Sequence, residues 1–327
     1  MKLASLRNDH RDGALLVVSR DLSKAALATD IAPCLQAALQ DWDKIAPRLN
    51  TKYLQLNAGE LADTFALDFE NLASPLPRPP QFLDGSAYLA HVERVRRARG
   101  AEMPPSFLDD PLMYQAVSDG TLGPREAIVV ASEEYGIDFE AEVAVIVDDT
   151  PMGISEADAG EHIQLIMLVN DVSLRNLIPA ELGKGFGFLH SKPRSAFSPV
   201  AVSPDELGEA WKDYKVHLPM RVQHNGTWFG HPEAGEDMQF SFARLIAHAA
   251  KTRPLAAGSV VGSGTVANQD ESRGASCLAE RRMLEIIANG KPSTPFMSYG
   301  DTIRIEMTNK AGESVFGAID QTVQAID

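Results

Sequence analysis

The run Ile137-Asp138-Phe139-Glu140-Ala141-Glu142-Val143-Ala144-Val145-Ile146-Val147 sets two glutamates against an apolar stretch. Residues two apart on a strand share a face, so Glu140 and Glu142 are expected to point the same way, about 7 Å apart. Like charges beside hydrophobic residues are costly unless a cation compensates them. A hard divalent metal, which takes oxygen ligands, would do so. The competing reading is an edge strand with a solvated acidic face, and for an isolated Glu-x-Glu it is the better one. Three further places bear on the choice. Asp171 follows the apolar run 163–169, with Arg175 four residues on; this is either a ligand beside an anion-binding group or a simple Asn-Asp turn. Asp84 and His91 stand seven residues apart. A helix from Ala87 would put His91 on the face of Ala87 and Tyr88, with Asp84 on the loop before it, although a lone helical histidine is more often structural. Lys192 lies in a polar loop, 188–199, that on its own reads as surface.

The elements that must carry these side chains are mostly strands. Apolar runs at 127–131, 139–147, 163–169, 215–222, 259–266, 302–307 and 314–318 have strand character, and helical spacing is sparse among them, clearest at 240–250 and at 87–99 with Ser86 as N-cap. Strands without regular intervening helices exclude a doubly wound α/β fold and point to a mostly β, barrel-like or stacked-sheet domain. Upstream, short strands at 15–18 and 25–28 and helical spacing at 34–45 and 53–65 suggest a small separate unit. Four prolines within residues 75–80 cannot sit in a helix or a central strand. They place the boundary between a unit of residues 1–75 and one of residues 76–327.

Composition narrows the function. A formal net charge of −15 argues against nucleic acid, whose phosphates would be repelled. An anionic small molecule stays open, because a metal and a few cations can reverse the potential inside one pocket. Cys34 and Cys277 are far apart and lack metal-ligand spacing, which fits a reducing cytoplasm. No run of 18 uncharged apolar residues occurs, so a membrane span is not expected. Arg94, Arg96, Arg97 and Arg99 read as a solvated helix face, and histidines such as His224 and His231 as structural or surface residues.

Taken together the motifs resemble the fumarylacetoacetate hydrolase family over residues 76–326. They are D-x6-H at Asp84 and His91, D-F-E-A-E ending at Glu142, N-D-V-S-x-R ending at Arg175, K-x6-P from Lys192, G-S-G-T-V from Gly262 and S-C-L-A-E ending at Glu280. The resemblance implies a mostly β (α+β) fold: a β-roll of stacked mixed sheets, preceded by a small β-rich, SH3-like unit, and paired as a homodimer. It implies a divalent cation, Mg2+ or Ca2+ with Mn2+ also allowed, held by Asp84, Glu140, Glu142 and Asp171, with Lys192 and Ser195 supporting it. His91 matches the catalytic base, Glu280 the acid that orients it, and Lys192 the group that polarises substrate. Arg175, Tyr114 and Thr265 match substrate contacts. The activity implied is hydrolysis of the C–C bond of a 1,3-diketo acid, first of all fumarylacetoacetate to fumarate and acetoacetate in tyrosine and phenylalanine catabolism. Fumarylpyruvate or acylpyruvate hydrolysis and oxaloacetate decarboxylation are the alternatives within the fold, and a non-catalytic, metal-stabilised scaffold is the alternative outside it. Where fuller members carry a glutamine and a tyrosine after the Asp171 motif, this chain has Asn176-Leu177-Ile178-Pro179-Ala180, which leaves the acyl group open.

Overall fold

The computed structural model of the chain describes residues 1–90, 93–94 and 108–326. Among these, one mixed sheet of eleven strands organises the molecule. Its centre is the antiparallel pair Ala141–Val147 and Ile163–Asn170, where Val169 faces Glu142. Val260–Gly262 lies beyond Ala141–Val147 and pairs in parallel with Phe82–Gly85, which in turn pairs with Met113–Ala116. On the other side the short strand Ala201–Val202 joins Ile163–Asn170 to Lys2–Leu6, so the N-terminal strands Lys2–Leu6, Ala14–Val18, Lys24–Leu27 and Phe65–Ala66 extend the same sheet.

Alternation along the central strand explains the layering. Val143, Val145 and Val147 join one apolar cluster, while Ala144 and Ile146 join the other. The first cluster is shared with a second sheet of five strands, in the order Thr227–Gly230, Met220–His224, Thr302–Met307, Ile319–Ala325, Ile128–Val130. The second is closed by the helices Leu35–Leu39 and Trp42–Ala58, through Leu35, Leu49 and Tyr53. The stacked mixed-sheet expectation holds. Among the described residues no helix is long and apolar enough to cross a membrane.

Local expectations depart from the structure at identifiable residues. The helix expected at 53–65 instead starts at Trp42, continues through Pro47 and stops at Gly59, whose φ of 73° terminates it. The run 215–222 is split at Leu218 and Pro219 into Lys215–Val216 and Met220–His224. No strand forms at 314–318; the chain pairs further on, at Ile319–Ala325, where polar residues alternate with buried ones and hide the apolar run. Of the strand expected at 139–147, the regular part runs Ala141–Val147, and Glu140 just before it pairs in an isolated bridge with Cys277. Expected strand 259–266 ends at Gly262 because the chain turns sharply through Gly264, with φ of 75°.

That turn brings the backbone close to Asp84. A Cβ on Gly262 would collide with Asp84 Oδ1 and lie 3.2 Å from the Phe82 ring. Gly262→Ala is therefore expected to cost about 1–3 kcal/mol, as overpacking does, read as a lower urea midpoint with unchanged m-value.

Candidate metal centre and active site

The ends of the central strands bring three carboxylates together. Asp84 on Phe82–Gly85, Glu142 on Ala141–Val147 and Asp171 just after Ile163–Asn170 each offer an oxygen, all within 4.8 Å of one another, and all three side chains are buried. The gap between Asp84 and Glu142 is spanned by the side-chain-free Gly262, opposite both Asp84 and Ala144. Asp84 Oδ1 accepts a bond from the Gly264 amide at 3.1 Å. Asp171 Oδ1 accepts from Ser195 Oγ at 2.6 Å, and its Oδ2 from Tyr114 Oη at 2.6 Å and Lys192 Nζ at 2.5 Å. Both oxygens of Glu142 are buried without a hydrogen-bond partner among the described residues. An acceptor in that state is costly.

Glu140 stands beside this cluster, sharing Lys192 Nζ with Asp171. Its Oε2 accepts from Lys192 Nζ at 2.5 Å and Ser173 Oγ at 3.1 Å, and its Oε1 from Arg175 at 2.7 Å and Thr265 Oγ1 at 2.8 Å. Of the four carboxylates expected at a metal, Asp84, Glu142 and Asp171 thus converge most closely, and Glu140 is bonded to two cations. Arg175 and Thr265, expected at the substrate, spend donors on Glu140. Arg175 Nε also reaches Asp138 at 2.8 Å.

Asp138 was not singled out by the motif reading. Its oxygens accept from the Leu278 and Ala279 amides at 2.7 and 2.9 Å, at the N-terminus of the helix Leu278–Asn289. Glu280, in that helix's first turn, is fully buried and pairs with Arg94, whose Nη2 also donates to Asn268 O at 2.5 Å. Arg94 is therefore a buried partner of Glu280 and not part of a solvated face. His91, Arg96, Arg97 and Arg99 lie outside the described residues.

A cavity of about 170 Å3 opens over the triad, walled by Tyr88, Tyr114, Phe188, Lys192, Arg175 and Thr265 among others. Phe188 sets its ring edge-on to Tyr114, 5.0 Å between centroids. Electrostatics follow from burial and crowding. Burial, and then the Asp171 charge, pushes the Asp84 carboxyl up to about 8. Burial, then Asp84, Asp171 and Glu140, raise Glu142 well above the ordinary glutamate range. Burial works against the Lys192 charge, but Asp171 and Glu140 outweigh it and hold the ammonium protonated. The same balance, through Glu140 and Asp138, raises Arg175.

A family model described as fumarylacetoacetate (FAA) hydrolase C-terminal matches residues 81–324, and one for fumarylacetoacetase N-terminal domain 2 matches residues 1–78. The chain belongs to the fumarylacetoacetate hydrolase family. It is 28% identical over 162 residues to the 2,4-didehydro-3-deoxy-L-rhamnonate hydrolase of Sphingomonas sp. (strain SKA58), covering 48% of this chain and 53% of that protein. Over 207 residues it is 27% identical to the oxaloacetate tautomerase YisK of Bacillus subtilis (strain 168), covering 62% and 64%. The chain thus spans less than two thirds of either relative's length. The maleylpyruvate hydrolase of Sphingobium sp. SYK-6, solved with manganese(II) and pyruvate, superposes with a TM-score of 0.66 at 16% identity over 100% of both chains, a likeness of fold.

Two expectations follow from the geometry. In metal-free protein, Asp84 keeps a proton up to about pH 8, whereas the unfolded chain loses it near pH 3.9. Below that lower value both states are protonated; between the two the native state binds the extra proton, so stability falls as pH rises, by up to about 1.4 kcal/mol per unit. Melts of EDTA-treated protein from pH 5 to 8 should show Tm falling, a slope that Asp84→Asn reduces and added Mn2+ removes; a Tm rising across this window in the metal-free protein contradicts it. Asp138→Ala strips the helix amides and leaves Arg175 half-paired, so urea unfolding should show a loss of about 3–5 kcal/mol.

Proposed function

We propose that the chain is a divalent-metal-dependent enzyme that hydrolyses the C–C bond of a 1,3-diketo acid. The observation that carries this is Glu142: two buried acceptor oxygens without a hydrogen-bond donor, aimed into a cluster with Asp84 and Asp171 beside an interior lysine. Such an all-oxygen, anionic donor set fits Mg2+, Mn2+ or Ca2+. Asp84, Glu142 and Asp171 would hold the cation, whose charge polarises a chelating dicarbonyl and offsets negative charge as it develops. Glu140 serves instead to fix Lys192 and Arg175.

The remaining steps belong to this chain's own groups. His91, oriented by Glu280, takes a proton from water as the water oxygen adds to the acyl carbon. The Lys192 ammonium, kept charged by Asp171 and Glu140, stabilises the oxyanion of the tetrahedral adduct. The C–C bond then breaks with its electron pair leaving as an enolate, and protonation of that carbon gives a methyl ketone alongside the carboxylic acid. Tyr114 and Ser195 hold Asp171 in place throughout. Fumarylacetoacetate and acylpyruvates such as fumarylpyruvate share this chemistry. A second reading, keto–enol conversion or decarboxylation of oxaloacetate, is favoured by the likeness to a tautomerase and needs no added water.

Purified protein would be assayed with fumarylacetoacetate, fumarylpyruvate and oxaloacetate, each with EDTA and with Mg2+ or Mn2+ restored. The expected result is metal-dependent loss of diketone absorbance with fumarate as a product. Oxaloacetate turnover alone selects the second reading, and no metal-dependent turnover of any of the three sinks both. Glu142→Gln should weaken metal binding by more than about 100-fold, since loss of an outer-shell partner alone costs up to that, measured by calorimetry on folded protein.

A further inference from the structure

A second cavity, of about 630 Å3, adjoins the one over the triad and shares Tyr114 and Phe188 with it. In a chain of net charge −15, its described wall contains no carboxylate and two basic side chains, Arg253 and His248. His248 comes from the last turn of the helix Phe242–Ala249, and Arg253 from the turn that follows. Among the described residues, His248 Nδ1 lies 3.5 Å from Asp110, itself exposed, a pairing worth little in water even when the imidazole carries a proton. Arg253 is exposed and makes no ion pair or hydrogen bond among the described residues. Its guanidinium is therefore available to a ligand without first breaking an internal pair. The cavity over the triad, by contrast, has its cations committed: Lys192 and Arg175 are bonded to Glu140, Asp171 and Asp138. A carboxylate at the far end of a substrate would find its unengaged cation in the adjoining cavity, past the Tyr114–Phe188 pair.

We propose that this adjoining cavity is a distal anion subsite: the chelating end of the substrate lies at the triad and a terminal carboxylate is received by Arg253, with His248 beside it. The inference rests on the reading of the triad as a metal-chelating site and deepens it by placing the second carboxylate of a keto diacid at Arg253. A planar guanidinium suits such a group because it can donate two parallel bonds to one carboxylate.

The test uses the full chain loaded with Mn2+ and two ligands of equal carbon count, 2-oxoadipate and 2-oxohexanoate, which share the chelating keto-acid end and differ in a terminal carboxylate or methyl. Calorimetry is expected to give 2-oxoadipate a preference of roughly tenfold or more, the scale of one charge-assisted hydrogen bond. Arg253→Gln should remove that preference while leaving Mn2+ affinity, 2-oxohexanoate affinity and Tm unchanged. No preference in the parent protein, a preference that survives in Arg253→Gln, or binding of neither ligand overturns the proposal. A preference that Arg253 controls, in a protein that turns over no diketo acid, would instead leave the subsite standing and fail the proposed reaction.

Discussion

Charge balance at the ends of the central strands governs this molecule. Asp84, Asp138, Glu140, Glu142 and Asp171 are all buried, and among the described residues the cations bonded to them include Lys192 and Arg175. Among the described residues, five carboxylates stand against these two cations, an excess of three negative charges if all are ionised, and each uncompensated buried ion costs several kcal/mol. The two cations are distributed to one side, around Glu140, Asp138 and one oxygen of Asp171. The deficit falls on Asp84 and Glu142, whose carboxyls burial and neighbouring charge push upward. Protons or a divalent cation can close it, and only the cation does so near neutral pH while leaving the carboxylates able to act as ligands.

The sheet makes this concentration of charge tolerable by rigidity. Asp84 and Glu142 sit on strands paired through Val260–Gly262, and Asp171 leaves the strand paired on the other side of Ala141–Val147. Each backbone is fixed by ladder bonds and by apolar residues on both faces, so the carboxylates cannot relax apart to relieve repulsion. Asp138 carries the same rigidity to the helix bearing Glu280, tying it to Arg175 and so to Glu140.

Much of this was legible in the residues. The order of motifs pointed to the family, and the carboxylates at Asp84, Glu142 and Asp171 do converge with Lys192, Tyr114 and Ser195. What the motifs could not convey is which partner each group takes. Alternation put Glu140 beside Glu142, and both line one cavity, but spacing could not show that Glu140 is bonded to Arg175 and Lys192, partners set by tertiary contacts. Arg94 read as a surface cation because its neighbours are arginines; its partner, Glu280, lies 186 residues away. Asp138 stood inside a recognised motif yet drew no attention, since its work is to cap a helix distant in sequence. The final strand was missed because its solvent-facing residues are polar and interrupt the apolar run.

The pairing of Lys2 with Val202 has a consequence for how the chain reaches this state. The first strand finds its inner neighbour only after some two hundred residues have been made, and Ile128 waits for Val323. Closing loops of that length carries an entropic cost before any contact rewards it, and folds dominated by such distant pairings form slowly. During synthesis the inner edge of the N-terminal strands would stand open, a template for pairing with another nascent chain. The continuous sheet that holds the carboxylates still in the finished protein is thus also the part of the chain most dependent on protection while it is being made.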